Sequence, residues 1–157
     1  MPTFEEKAKD FLALKNLALA GVSRKEGQTA NGIYKMLRSR GYTIYPINPN
    51  AQEVEGDKCY PDLKSLPEGD IDWLLIVTRP ERSIQLVHEC AETGISRVWM
   101  HGNAFMGESG SSVSQEAVEF CQDNGITAIA GGCPLMFLEI GHKCMRWIMG
   151  VMGNLPD

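Results

Sequence analysis

The chain lacks the segments that would carry it to or through a membrane. Charged residues such as Glu5, Lys7 and Asp10 interrupt the apolar residues near the start, so we expect no signal peptide. No run of about 18 apolar residues occurs in the sequence, so no hydrophobic transmembrane helix is expected. These absences predict a cytoplasmic protein with no membrane partner.

Clustered positive charge and metal-binding motifs are also missing. Lys and Arg number 15 against 20 Asp and Glu, which gives a net charge of −5. A nucleic-acid surface normally shows clustered Lys and Arg, so no nucleic-acid partner is expected. The five cysteines are odd in number and lack CxxC spacing, which is typical of reduced cytosolic thiols. The three histidines complete no metal-ligand spacing, so no metal site is predicted.

What the sequence does contain is apolar strand-like runs that alternate with amphipathic helical patterns. With 43% hydrophobic and 22% charged residues, the composition is typical of a globular protein. A single domain over residues 1–157 is expected, with a core from about 10 to 135 and a Met-rich C-terminal helix over about 135–152. The segment from Asn48 through Gly56 reads as a loop. The predicted helices are Thr3–Ala13, Gln28–Arg40, Pro80–Thr93 and Ser112–Asn124, and the predicted strands are Asn16–Val22, Thr43–Ile47, Trp73–Val77, Arg97–Met100 and Ile126–Ala130.

This alternation of strands and helices predicts the fold class. Strands separated by helices of this length imply right-handed crossovers and a parallel sheet. We therefore predict an α/β fold: a Rossmann-like, doubly wound, mainly five-stranded parallel sheet with helices on both faces and an extra C-terminal helix. A candidate strand order is 3-2-1-4-5.

The predicted fold also locates a binding site. In a doubly wound sheet, ligands bind outside the carboxyl ends of the strands, where the winding reverses. Four segments follow strands in this way and are expected to converge there. They are Gly21–Lys25, Pro46–Asn50, Val77–Pro80 and Met100–Gly102.

The first of these segments has the chemistry of a phosphate-binding turn. The apolar run that ends at Ala20 leads into a short turn that opens a helix. At such a turn, backbone N–H groups and the positive end of the helix dipole face an incoming anion. Gly21 allows a tight turn, and the Ser23 hydroxyl can donate a hydrogen bond. The turn therefore predicts a phosphorylated cofactor.

The sequence lacks the marks of a nicotinamide or flavin dinucleotide site. Such sites have a three-glycine turn and an acidic residue at the end of the second strand. Here the turn from Gly21 to Gly27 lacks that spacing, and the first acidic residue after the second strand is Glu53. An NAD(P)-type nucleotide binder is therefore the less favoured alternative.

Several segments together resemble a known family. The order of Ala20–Ser23, Gly41-Tyr42, Tyr45–Pro49 and Gly56 resembles that of the small stand-alone CoA-binding proteins, which are similar to the CoA-binding domain of the succinyl-CoA synthetase α subunit. The resemblance covers roughly residues 10–135. It implies a Rossmann-like domain that binds coenzyme A or an acyl-CoA. Further matches are Leu63, Leu66-Pro67, Asp72, Val98-Trp99, Gly102, Ala117–Gly125 and Gly132-Cys133-Pro134.

The resemblance also implies which positions contact which part of CoA. It places the phosphates over the first turn, the adenosine at the end of the second strand, and the pantetheine arm near the fourth strand. Arg79 would pair with the 3′-phosphate or the pyrophosphate. The candidate cofactor-binding residues are Gly21, Val22, Ser23, Arg24 and Lys25, then Pro46, Asn48 and Pro49, then Val77, Thr78 and Arg79, and finally Met100 and Gly102.

Catalysis by this chain is not expected, because no complete catalytic constellation is present and the synthetase's phosphohistidine-bearing second domain is missing. An acyl-CoA-handling enzyme that uses His101 or Cys133 stays open as an alternative. A further alternative is a scaffold or regulatory module whose contact surface is the Met-rich helix around Met145 and Met149. A homodimer or an unidentified protein partner would use the same helix.

Overall fold

The computed structural model describes residues 2–67, 69, 71–102 and 111–138. No helix within these ranges is long and apolar enough to cross a membrane. The elements in chain order are α1 (Phe4–Ala13), β1 (Asn16–Ala20), α2 (Thr29–Ser39), β2 (Thr43–Ile47), β3 (Glu53–Val54), β4 (Asp57–Lys58), β5 (Trp73–Ile76), α3 (Pro80–Thr93), β6 (Arg97–Met100), α4 (Gln115–Asp123), β7 (Thr127–Ala130) and a 3₁₀ helix (Pro134–Phe137).

Five parallel strands form the central sheet, in the order β2-β1-β5-β6-β7. Ala20 pairs with Ile47 of β2 on one side and with Ile76 of β5 on the other, so β1 lies inside the sheet. The winding reverses between β1 and β5. The predicted doubly wound, Rossmann-like α/β fold is confirmed.

The candidate strand order 3-2-1-4-5 is wrong: counted along the chain, the five strands lie in the order 2-1-3-4-5. The third main strand would have to pair with the outer edge of β2, but the segment around Tyr60 pairs with the carboxyl end of that edge. Tyr60 bridges to Ile47, and its N–H donates to the Pro46 carbonyl at 2.9 Å. The Asn48 N–H in turn donates to the Tyr60 carbonyl at 2.8 Å. With this edge occupied, β5 pairs with β1.

Strand side chains alternate between two apolar cores, one on each face of the sheet. Leu17 and Leu19 pack with α1 and α2, whereas Ala18 and Ala20 pack with α3 and α4. The three inner strands, β1, β5 and β6, therefore bury both of their faces, as expected for a parallel sheet covered by helices. The two layers of helices leave the carboxyl ends of the strands as an edge where loops meet.

The structure differs from the sequence prediction in two further places. The segment predicted as a loop contains β3, which pairs with β4 just beyond it to form a two-stranded hairpin. Its turn is formed by Glu55 and Gly56, which have positive φ values of 50° and 82°. At the other end, the chain enters a 3₁₀ helix at Pro134–Phe137. The rest of the predicted Met-rich helix lies outside the described residues.

Candidate ligand-binding site

A cavity of about 320 Å³ opens at the carboxyl ends of β1 and β5, and we call it the carboxyl-edge cavity. Its position is the point where the winding of the sheet reverses, and its volume is at the small end of the range for ligand pockets. The residues that line it are Gly21, Ser23, Gln28, Thr29, Ala30, Val77, Thr78, Arg79, His101 and Ser112.

Gly21 allows the ends of β1 and β5 to approach each other. Its φ is +114°, and a Cβ atom there would lie 2.1 Å from the Val77 carbonyl oxygen. The Val77 N–H donates to the Ala20 carbonyl at 2.9 Å, so the sheet pairing continues up to this contact. Only glycine fits both the backbone angle and the space.

Two helices begin at the cavity without a side-chain cap. The N-cap residues are Gln28 for α2 and Arg79 for α3, and neither side chain makes a capping hydrogen bond. By contrast, Thr3 caps α1 and Ser114 caps α4 through hydroxyl groups that accept backbone N–H bonds. First-turn N–H groups have no acceptor within their own helix. The two uncapped ends therefore give the cavity a positive potential that suits an anion.

The turn after β1 is held by its own hydrogen bonds. The Ser23 hydroxyl oxygen accepts from the Lys25 N–H at 3.0 Å. The Ser23 N–H donates to Asn31 Oδ1 at 3.0 Å, and Asn31 Nδ2 donates to the Ser23 carbonyl at 2.8 Å. The Ser23 N–H thus donates to Asn31 within the protein. The Ser23 hydroxyl only accepts in this turn, so its hydrogen is not used by the Lys25 contact. Arg24 and Lys25 are exposed beside this turn.

The turn after β5 is held by a side chain from a distant segment. Ser112 Oγ accepts from the Thr78 N–H at 2.9 Å and donates to the Thr78 carbonyl at 2.7 Å. The Ser112 carbonyl accepts from the Ser83 hydroxyl at 2.6 Å, and the Ser112 N–H donates to the His101 carbonyl at 2.7 Å. Ser112 is only 1% exposed. This buried network fixes the loop that carries Arg79.

The predicted residues at the end of β2 do not line the cavity. Pro46 is buried, Asn48 is partly buried and Pro49 is exposed. Asn48 Nδ2 donates to the Val22 carbonyl at 2.9 Å. The end of β2 thus touches the backbone of the turn after β1, and Val22 itself is buried.

Met100 and Gly102 also lie outside the cavity lining, although His101 between them belongs to it. Met100 is wholly buried among the apolar residues of α3 and α4. A Cβ atom on Gly102 would lie 3.0 Å from Gly131 Cα, so two loops meet closely there. His101 is 2% exposed.

Sequence reasoning missed five residues that build or support the cavity. Gln28, Thr29 and Ala30 form the start of α2, and the helix dipole argument could have included them. Asn31 is a weak helix former among apolar neighbours, which is a usable signal for a buried polar role. Ser112 gave no signal, because its partner Thr78 is 34 positions away in the sequence.

Charged side chains tie the hairpin to α2 beside the cavity. Glu55 accepts from Asn31 Nδ2 at 2.7 Å and pairs with Lys35 at 3.6 Å. The Asn31 hydrogen bond is the main cause that lowers the pKa of Glu55.

Within the described ranges, no group of three or more His, Cys, Asp or Glu side chains is placed to hold a metal ion.

The second tie is made by Asp57. Its carboxylate accepts from the Tyr34 hydroxyl and, at 2.8 Å, from the Arg38 guanidinium. These hydrogen bonds lower the pKa of Asp57, whereas burial followed by the Asp57 contact raises the pKa of Tyr34. The hairpin is therefore bound to α2 by ionised groups.

A doubly wound α/β sheet whose helices begin at its switch point places this chain in the Rossmann-like class of domains. A sequence model of the family described as a CoA binding domain matches residues 15–139, and the chain belongs to that family. The resemblance to CoA-binding proteins is thereby confirmed.

Similar proteins fall into two groups by length. The ADP-forming acetate–CoA ligase II of Archaeoglobus fulgidus is 30% identical over 122 residues, which cover 75% of this chain and 18% of the ligase. The chain thus spans about a fifth of such relatives. The uncharacterized protein YneT of Bacillus subtilis is 28% identical over 132 residues, which cover 84% of this chain and 88% of YneT. A solved structure of a hypothetical protein from Pyrococcus horikoshii OT3 superposes with a TM-score of 0.74 at 29% identity, covering 85% of this chain and 88% of that one.

Proposed function

We propose that the chain binds coenzyme A, free or as an acyl-CoA, with its phosphates in the carboxyl-edge cavity. Membership of the CoA-binding domain family supports an association with CoA in general. One observation carries the placement: the N-termini of α2 and α3, neither capped by a side chain, meet in a single cavity with Arg79. CoA carries several phosphate charges, which helix N-termini and arginine both bind well.

The proposed contacts follow from the positions of the loops. The first turn of α2 and the Ser23 hydroxyl face the diphosphate, with Arg24 and Lys25 exposed beside it. Arg79, which is exposed at the start of α3, pairs with the 3′-phosphate. The adenosine lies near Asn48 and Pro49, whose strand end adjoins this turn through the Asn48–Val22 hydrogen bond.

The role we propose is binding without catalysis. None of the described residues that line the cavity carries a carboxylate or a thiol, and His101 is the one imidazole among them. A hydroxyl nucleophile with a histidine base usually needs a third group, often a carboxylate, that orients the base. Turnover of an acyl-CoA by the purified protein, lost in His101→Ala, would contradict this part of the proposal.

The proposed compartment is the cytoplasm. Cys59, Cys90 and Cys121 are buried free thiols, which suits a reducing environment. Burial raises the pKa of all three thiols, that of Cys121 to about 11, so these cysteines are protonated and unreactive at neutral pH.

Calorimetric titration of the purified protein with CoA, NAD and ADP tests the choice of ligand. We expect CoA to bind most tightly, because it offers more phosphate charge to the two helix ends and Arg79. Tighter binding of NAD than of CoA would overturn the proposal in favour of an NAD-type nucleotide binder.

The Arg79→Ala variant tests how the ligand is oriented. If Arg79 pairs with the 3′-phosphate, the variant loses about tenfold in CoA affinity and far less in affinity for dephospho-CoA. Lys64→Ala is the matched control, because it removes one exposed positive charge far from this cavity. Equal losses for both ligands in Arg79→Ala would reject the 3′-phosphate contact.

A further inference from the structure

Each of the two loops at the carboxyl-edge cavity is anchored in the same way. In each loop, one buried polar side chain bonds both backbone groups of a single loop residue. Asn31 bonds the N–H and the carbonyl of Ser23, and Ser112 bonds the N–H and the carbonyl of Thr78. Both anchoring side chains belong to residues that are 1% exposed.

These anchors orient the next amide in each loop. In a trans peptide the carbonyl and the following N–H point in opposite directions. The Ser23 carbonyl points to Asn31, so the Arg24 N–H points away from that anchor. The Arg79 N–H points away from Ser112 for the same reason. Neither of these two N–H groups donates to another of the described residues.

The Asn31 anchor is itself held in one orientation. Its Nδ2 also donates to Glu55 at 2.7 Å, and a carboxylate can only accept. A flipped amide would set its oxygen against that carboxylate and against the Ser23 carbonyl. The hairpin thus fixes which atom of Asn31 meets which group of the turn.

We infer that Asn31 and Ser112 are positioning residues, whose paired hydrogen bonds set both loops so that the Arg24 and Arg79 amides are ready for a ligand phosphate. The expected change in CoA affinity rests on the proposed function. The anchoring of the loops, measured by amide exchange, does not. Neither side chain needs to touch the ligand. The paired hydrogen bonds hold both loops through contacts within the protein, so a ligand does not have to order them.

The experiment compares the wild type with Asn31→Ala, Ser112→Ala and the control Tyr34→Phe. Tyr34 lies on the same helix as Asn31 but bonds Asp57 of the hairpin, so its variant reports general destabilisation. Amide hydrogen exchange is measured without ligand, and CoA affinity is measured by calorimetry. We expect faster exchange at Ser23 in Asn31→Ala and at Thr78 in Ser112→Ala, and about tenfold weaker CoA binding in each. Tyr34→Phe changes neither.

Unchanged exchange at Ser23 and Thr78, or wild-type CoA affinity in both alanine variants, overturns the inference. If Asn31→Ala does not fold, Asn31→Asp replaces it: that variant keeps the acceptor for the Ser23 N–H but loses the donor to the Ser23 carbonyl. Wild-type affinity in Asn31→Asp then counts against the inference. If the wild type fails to bind CoA, the proposed function falls, and the exchange rates alone decide whether the anchors work.

Discussion

Two cavities of similar size lie at opposite ends of the sheet, and only one suits an anion. The second, which we call the amino-edge cavity, measures about 420 Å³ against about 320 Å³ for the carboxyl-edge cavity. Apolar residues that precede β5 and β6 dominate its lining. It is lined by Leu63, Lys64, Leu66, Pro67, Gly69, Ile71, Thr93, Gly94 and Ile95.

Helix α3 connects the two cavities and gives them opposite potentials. It begins beside Arg79 at the carboxyl edge and ends with Thr93 and Gly94 at the amino edge. The helix dipole is positive at its first turn and negative at its last. A phosphate is therefore favoured at one end of α3 and disfavoured at the other. The amino-edge cavity is larger, but the direction of the helices favours the carboxyl-edge cavity for a phosphate.

The most severe way to break the carboxyl-edge cavity is Gly21→Ala. The new Cβ would lie 2.1 Å from the Val77 carbonyl oxygen at a φ of +114°. We expect a loss of about 4 kcal/mol in the free energy of unfolding, from strain and overpacking together, and no measurable CoA binding. Urea unfolding and calorimetry measure the two effects.

Gly27→Ala is the matched control for Gly21→Ala. Gly27 also has a positive φ, +80°, but a Cβ there would meet nothing within 4 Å. Its cost should be about 1 kcal/mol, with CoA binding retained. Equal losses in the two glycine variants would show that backbone angle, and not the β1–β5 contact, sets the requirement at Gly21.

A substitution at Ile95, which lines the amino-edge cavity, tests whether that cavity affects CoA binding. Ile95 is 6% exposed and packs in the core beneath α3 and α4. Ile95→Ala should lower the free energy of unfolding by about 2–3 kcal/mol, because it removes buried apolar contacts. CoA affinity should stay at the wild-type value. A loss of CoA affinity in this folded variant would mean that the two ends of the sheet are coupled.

Local patterns in the sequence were enough to predict the five strands of the central sheet and the four α-helices, but not the β3–β4 hairpin. Helix α3 and strands β2 and β6 begin and end where the apolar pattern and the flanking Gly and Pro residues place them. The strand order was not predictable in this way. It depends on Tyr60 covering the outer edge of β2, which is a contact between segments that no local pattern encodes.

The candidate site was predictable only in its local parts. Gly21, Ser23 and Arg79 follow strands directly, and all three line the cavity. The end of β2 does adjoin the turn after β1 through the Asn48–Val22 hydrogen bond, but its predicted residues lie outside the cavity lining. Ser112 bonds Thr78, which is 34 positions away in the sequence. Asn31 bonds Ser23 across the turn after β1. Their roles depend on hydrogen bonds that only the folded chain reveals.

The smallest expected difference is in acid sensitivity, between the hairpin bound to α2 and the amino-edge cavity. Tyr34 and Arg38 lower the pKa of Asp57, so this carboxylate stabilises the fold above its unfolded pKa, and the contribution is lost as pH falls through the lower folded value. Asp57 is 45% exposed, so Asp57→Asn should cost at most about 1 kcal/mol at pH 7. That cost should shrink towards zero below about pH 4.

The amino-edge cavity provides the contrast. The loss of unfolding free energy in Ile95→Ala involves no ionisable group, so it should not change over the same pH range. Urea unfolding of the wild type and both variants at pH 7 and pH 3 measures these differences. If the cost of Asp57→Asn is the same at both pH values, the hairpin is held to α2 by packing and not by the ionised carboxylate. The hairpin and the amino-edge cavity would then respond to acid alike.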